Sequence, residues 1–190
     1  MSGAPFVESR TPRRLTDRAP ADVTRAMAEQ RYRVEVSPDF LRFAAAHFIA
    51  YPGFREPLHG HNYQMSVRVD AALGADGYVL DFGLVKRVAE SLCAELTERT
   101  IVPMCSDCLV VETFGGSVRL TTLDGGRFEF PVADCALLPI VHSSAEEIAA
   151  YLLGRLREAL AAEVAGRDVR AIAVGVAEAP GQTAWCEETL

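Results

Sequence analysis

The order of hydrophobic periods predicts an α+β domain, an antiparallel sheet with two helices on one face. Three observations carry this prediction. Residues 32–48 and 59–71 are strand-like. Apolar residues recur at steps of three and four after Asp81 and again after Ser144. The chain then closes on a near-continuous apolar run, VRAIAVGVAEAP. A segment at about residues 107–132 interrupts this order and reads as an inserted hairpin.

The elements follow in sequence. Residues 1–30 carry five arginines, three prolines and no sustained apolar period, and are expected to form a solvated, poorly ordered arm. Residues 31–190 are expected to form a single domain. The run YRVEVSPDFLRFAAAHF is a strand broken at Ser37-Pro38-Asp39, where a bulge or bend is expected. After a loop through Tyr51, Pro52, Gly53 and Pro57, the run HGHNYQMSVRVDA puts His59, His61, Tyr63, Met65, Val67 and Val69 on one strand face. Asp81 is a suitable N-cap for a helix whose stripe is Phe82, Val85, Ala89, Leu92 and Leu96. LVVETF, SVRLTTL and GRFEFP, with turns at Gly115-Gly116 and Asp124-Gly125-Gly126, make up the insertion. Ser144 and Glu147 have capping-box spacing and open a second helix striped by Ile148, Leu152 and Leu156, and Gly166 marks its end. A last short strand is expected around Ala184–Cys186.

Composition narrows the function. The chain is 49% apolar and 24% charged, which is ordinary globular usage. No apolar run approaches the roughly 20 residues of a membrane helix, and no signal-peptide pattern is present, so a soluble cytoplasmic protein without a membrane partner is expected. A net charge of −7 argues against nucleic acid as a partner. The five cysteines are an odd number without an export signal, which favours free thiols. Cys105 and Cys108 form a CxxC, but no second CxxC or CxxH follows to complete a zinc knuckle, and a structural role is the plainer reading.

The chain has four histidines. His59 and His61, two apart on a strand, project from one face with Cα atoms roughly 6–7 Å apart, close enough for both rings to reach one ion. His47 ends the preceding strand behind three alanines that leave room beside it. Three histidine nitrogens with one position open are the pattern of a catalytic zinc site. On residue types alone, an incidental HxH pair stays equally open. A cupin-type site would want a carboxylate where Met65 and Ser66 stand.

FAAAHFIAYPGFREPLHGHNYQMSVRV, followed by DGYVLDFGLVK, HSSAEEIAAYL and VAEAP, resembles the 6-pyruvoyl-tetrahydropterin synthase and 6-carboxytetrahydropterin synthase family over residues 32–190. The resemblance implies a T-fold, a four-stranded antiparallel sheet with two helices, assembled as a homo-oligomeric ring with active sites between subunits. It implies Zn2+ held by His47, His59 and His61, and 7,8-dihydroneopterin triphosphate as substrate. It also implies that Glu178 anchors the pterin by accepting two parallel hydrogen bonds from the aminopyrimidine edge. The Ser-Ser-Ala-Glu-Glu stretch matches a pterin-contacting segment, which makes Ser144 a candidate substrate contact, although a helix cap accounts for Ser144 and Glu147 without any ligand.

Two departures bear on the reaction. Where the family usually places a cysteine base, four residues before His59, this chain has Arg55; the next residue is Glu56. The pattern Glu-x-x-His-Gly-His resembles a variant branch that yields 6-hydroxymethyl-7,8-dihydropterin, and it makes Glu56 the candidate general base. The Asp-His pair that usually follows the first helix is replaced by Thr97-Glu98-Arg99. Glu98 and His142 are therefore the candidate proton-relay residues, each with a plain structural alternative. Arg42, Arg55 and Arg68 are candidate phosphate partners. The function expected is a zinc-dependent lyase on 7,8-dihydroneopterin triphosphate in pterin, folate or queuosine-type biosynthesis, with its product open among 6-hydroxymethyl-dihydropterin, 6-carboxytetrahydropterin and 6-pyruvoyl-tetrahydropterin. The alternative is a non-catalytic zinc- and pterin-binding module.

Overall fold

The sheet grows around one long strand. In the computed structural model, which describes residues 30–37 and 39–190, β5 (His59–Ala71) runs for 13 residues and alternates outward and inward side chains. Its inward residues Tyr63, Met65, Val67 and Val69 are all 1% exposed or less. β1 (Tyr32–Val36) and β2 (Arg42–His47) both pair antiparallel with β5, β1 along residues 67–71 and β2 along residues 59–64. Between them the backbone amide of Met65 donates to Leu41 O. One strand line is thus divided in two between Val36 and Arg42. The expectation for the N-terminal arm falls on residues outside the described ones.

β11 (Val169–Ala179) pairs antiparallel with the other edge of β5, and β12 (Gln182–Thr189) pairs with β11. The last strand is therefore eight residues long rather than the short piece expected. On the opposite side two further strands extend the sheet. β6 (Arg99–Pro103) lies parallel to β2, and β10 (Cys135–Leu138) parallel to β6. The sheet has seven strands and is mixed, which corrects the four-stranded antiparallel expectation. β6 and β10 have only five and four residues, and four of the five in β6 are buried, so neither shows the alternation by which a strand is recognised.

The two helices take the predicted stripes. In α1 (Phe82–Leu96) the Asp81 carboxylate caps the first turn by accepting from Gly83 N at 2.8 Å, and Val85, Ala89, Leu92 and Leu96 are buried. Phe82, expected on that stripe, is 55% exposed. In α2 (Ala145–Val164) the Ser144 hydroxyl accepts from Glu147 N, while the Glu147 carboxylate reaches back to Val141 N. Both stripes join the main core on one sheet face with Tyr63, Met65, Val67 and Val69. None of the helices among the described residues is long and apolar enough to cross a membrane.

The insertion is a three-stranded meander, β7 (Leu109–Phe114), β8 (Ser117–Thr122) and β9 (Arg127–Pro131), rather than a two-stranded hairpin. Its buried Val118 and Leu120 join Phe48, Ala50, Val102, Cys108 and Cys135 in a second, smaller core. Two short strands in front of β5, β3 (Ala50–Tyr51) and β4 (Phe54–Arg55), form a tight hairpin between β2 and β5.

Candidate metal centre

The core face of β5 continues to the strand's N-terminal end, and there its apolar residues give way to histidines. His47 lies directly opposite His59 across the β2–β5 ladder, and His61 is the next residue on the same face. The three rings pack at centroid separations of 4.6, 5.1 and 4.8 Å. Their ligand nitrogens all lie within 4.8 Å of one another, the one such cluster among the described residues.

Two of the rings have their tautomers fixed. His47 Nδ1 is 2.7 Å from the carbonyl of Ser143, and His59 Nδ1 is 2.9 Å from the carbonyl of Pro57. A carbonyl only accepts, so each Nδ1 carries a proton, and in the neutral ring it is Nε2 that presents the lone pair. His47 is 2% exposed and its Nε2 is buried without a hydrogen-bond partner. Burial pushes the pKa of His47 below the usual imidazole value, against the opposing pull of the Ser143 carbonyl, so the ring is neutral. An orphaned lone pair on a neutral buried ring, beside two more imidazoles, fits a zinc ion, for which three nitrogens and an open fourth position are the catalytic arrangement. The next residue on that face of β5 packs against the trio. Tyr63 packs edge-on to His47 and His61 and stacks on Phe43 at 4.8 Å.

Glu178 sits where β11 ends in a bulge between Ala177 and Ala179. Its Oε1 is 3.9 Å from His47 Nε2, too far for a hydrogen bond but facing the same point. Glu56 stands in the loop just before β5. Its amide donates to Ile49 O at 2.9 Å, and its Oε2 accepts from Ile49 N at 3.0 Å. Burial, then the charges of Glu178 and Glu56, push the Tyr63 phenol pKa well above its ordinary value.

The remaining candidates are placed as follows. The Ser144 hydroxyl is spent on the helix cap. His142 precedes Ser143 on the strap that holds His47 and is half-buried. Glu98 is exposed, with φ +59, in the turn between α1 and β6; its amide donates to Ala44 O at 2.7 Å, and it lines an open cleft that also reaches Gly60, His61 and Asn62. A non-glycine residue in the left-handed region is uncommon. Two of the candidate phosphate partners are already engaged. Arg55 pairs with Asp124 at 3.0 Å, and Arg68 pairs with Glu35 at 2.9 Å and stacks over Trp185. Arg42 and Arg68 also point away from the histidines, because β2 and β5 alternate and the trio shares its face with Phe43 and Tyr63. Cys105 is an exposed free thiol and Cys108 a buried one.

The sequence reading missed Ser143. It is 1% exposed, its carbonyl orients His47, and its hydroxyl donates to Phe48 O at 2.8 Å. It stands next to Ser144, which the cap pattern picks out instead.

Known proteins resemble this chain in sequence and fold. Residues 36–189 match the family model described as 6-pyruvoyl tetrahydropterin synthase. The crystal structure of the Plasmodium vivax 6-pyruvoyl tetrahydropterin synthase is similar with a TM-score of 0.82 and 37% identity, covering 85% of this chain and all of that one. Variant structures of the same Plasmodium protein, equally similar, replace a glutamate described as a catalytic residue by alanine or by cysteine. A Methanocaldococcus jannaschii protein named as a candidate 6-carboxy-5,6,7,8-tetrahydropterin synthase is 28% identical over 155 residues, 79% of this chain and 91% of that one. By the extent of the family match and the identity to the Plasmodium structures, this chain belongs to the 6-pyruvoyl tetrahydropterin synthase family.

Proposed function

We propose that the protein is a zinc-dependent lyase acting on 7,8-dihydroneopterin triphosphate, with His47, His59 and His61 as metal ligands, Glu178 as pterin anchor and Glu56 as general base. The observation that carries this reading is the convergence of three imidazoles, two with Nε2 freed by backbone carbonyls, on a point that Glu178 also faces. A bound zinc ion would polarise the hydroxyls of the substrate side chain and offset charge that develops on oxygen.

The chain's own residues supply the rest. The Glu178 carboxylate accepts paired hydrogen bonds from the aminopyrimidine edge and so fixes the ring. Glu56 is held by its backbone and by one carboxylate oxygen, and takes a proton from the side-chain hydroxyl. Loss of that proton opens a retro-aldol cleavage of the C1′–C2′ bond: the C2′ oxygen becomes an aldehyde on the departing triphosphate-bearing two-carbon fragment, the electron pair passes into the pterin ring, and protonation at C1′ leaves 6-hydroxymethyl-7,8-dihydropterin. Support for Glu56 comes from the Plasmodium relatives, in which a glutamate is described as a catalytic residue. Glu98, on the cleft that reaches His61, and His142, beside the strap, complete the proposed set as relay residues, with Ser144 at the pterin-contacting segment. As in the resemblance, we infer assembly into a ring of subunits and a cytoplasmic location.

A second reading, a zinc- and pterin-binding module without turnover, is favoured by one observation. The position where the family's cysteine base would stand is Arg55, already tied to Asp124. One assay separates the two. Zinc-loaded protein is incubated with 7,8-dihydroneopterin triphosphate and the pterin product is identified by mass spectrometry. 6-Hydroxymethyl-7,8-dihydropterin is expected, and pterin binding without turnover would replace the lyase reading with the second. Turnover that survives Glu56→Gln would remove Glu56 as the base. Full zinc occupancy after His59→Ala would show that the ligand set is wrong.

A further inference from the structure

Besides their shared apolar core, the inserted meander and the loop that carries Glu56 are joined by polar contacts at the Arg55 guanidinium. Asp124 sits in the β8–β9 turn, where its Oδ1 contacts the Thr122 hydroxyl and the Gly126 amide. Its Oδ2 accepts from Arg55 Nε at 3.0 Å. The Arg55 guanidinium lies 5.6 Å over the Phe128 ring, and its Nη1 donates to the Glu56 carbonyl at 3.2 Å. Phe128 in turn stacks on Phe48 at 4.9 Å, and the Phe48 carbonyl is the one that Ser143 holds. Contacts from the meander therefore run to the Glu56 loop through Arg55, and to the His47 strap through Phe128.

Glu56 is gripped at three points. Ile49 takes its amide and one carboxylate oxygen, and Arg55 takes its carbonyl. The Ile49 contacts belong to the β2–β5 connection itself. The Arg55 contact depends on the insertion, because Asp124 and Phe128, both on the meander, orient that side chain. The Asp124 carboxylate is held down to about 2 by the Thr122 hydroxyl and then by Arg55, so it stays charged at any working pH. Half-exposed ion pairs of this kind add little to global stability, so the pairing would be felt mainly in the placement of what Arg55 touches.

We propose that Arg55 and Asp124 are positioning residues for Glu56, and that the inserted meander acts in the reaction through them. The inference rests on Glu56 being the base. It adds a reason for the arginine at the place of the family's cysteine: the side chain there holds the base instead of being it.

The test is steady-state kinetics of the zinc-loaded full chain with 7,8-dihydroneopterin triphosphate, for Asp124→Asn, Asp124→Glu, Glu56→Gln and the Asp124→Asn/Glu56→Gln pair. Small displacements of a catalytic group cost rate rather than binding, so Asp124→Asn is expected to lower kcat roughly tenfold with KM within about twofold. Zinc content should stay at the parent value and Tm within about 4 °C of it, the effect of losing an exposed ion pair of up to about 1 kcal/mol, and Asp124→Glu should recover most of the rate. In the Glu56→Gln background, Asp124→Asn should cost less than about twofold, since residues that act as a unit are not additive. Arg55→Lys gives the same reading should Asp124→Asn fold poorly, because an ammonium lacks the second arm that reaches the Glu56 carbonyl. Parent-level kcat in Asp124→Asn, with turnover destroyed by Glu56→Gln, overturns the positioning role and leaves the base standing. Effects that multiply in the double variant overturn it too. Parent-level turnover in Glu56→Gln overturns the base and this inference with it.

Discussion

Ser143→Ala removes one buried oxygen and leaves the backbone carbonyl that orients His47 in place. The lost hydroxyl donates to Phe48 O, and both residues are 4% exposed or less, so that carbonyl is left without its donor in a dry site. A buried group deprived of its partner costs about 1–3 kcal/mol, and for a chain of this size each 1 kcal/mol lowers Tm by about 2–4 °C. A Tm loss of about 4–8 °C in metal-free protein is the expected centre of that range. The strap would also lose its tie to Phe48, just after β2, so the Ser143 carbonyl would be held less firmly against His47 Nδ1. Loss of such outer-shell contacts costs roughly 10–100-fold in metal affinity. Differential scanning calorimetry of the apoprotein, with a zinc competition titration, measures both. Ser144→Ala is the matched control. It sacrifices an N-cap worth about 0.5–2 kcal/mol but should leave zinc affinity alone, because its hydroxyl faces Glu147 N. Equal zinc affinities for the parent and Ser143→Ala would refute the strap argument.

Three further outcomes are expected. Gly175→Ala should destabilise by about 1–3 kcal/mol, since a Cβ there would lie 2.8 Å from the Trp185 ring, already covered by Arg68; an unchanged Tm would show that the ring moves freely. The same change at Gly154, inside α2 with nothing within 4 Å, should stabilise by about 0.5–1 kcal/mol, and a lower urea midpoint would contradict it. Because Asp124 is held below its ordinary value of 3.8, its contribution is present above that pH and lost as pH falls towards about 2. Acid unfolding of Asp124→Asn should therefore be shallower than that of the parent between those values, and parallel curves would mean that the carboxylate is not held.

What could be read in the sequence depended on whether a residue acts through its own strand or across the fold. His59 and His61 were legible because the alternation that buries Met65, Val67 and Val69 carries straight on to them. Asp81 and Ser144 were legible because a cap is a local pattern. Ser143 was not, since its carbonyl meets His47 across 96 positions and no side-chain pattern records a backbone contact. Asp124 and Arg55, 69 positions apart, were hidden for the same reason. β6 and β10 were missed because short parallel strands at a sheet edge are stabilised by the ladder they join, and their sequences show no period of their own. Glu178 drew attention through resemblance alone, as a carboxylate at a strand end has no signature that separates it from a solvated one.

β5 carries the main core at one end and two of the candidate metal ligands at the other, on the same face. A slip of one residue in its pairing would turn every side chain to the opposite side. Val67 and Val69 would then meet water at the same moment that His59 and His61 left the trio. A mispaired chain could not survive as a soluble, inert copy of the protein; it would be unstable as well as metal-free. Cellular proteolysis of unstable chains would thus double as a check on the chemistry, because no separate signal is needed to tell a chain with a ruined site from a chain with a ruined core.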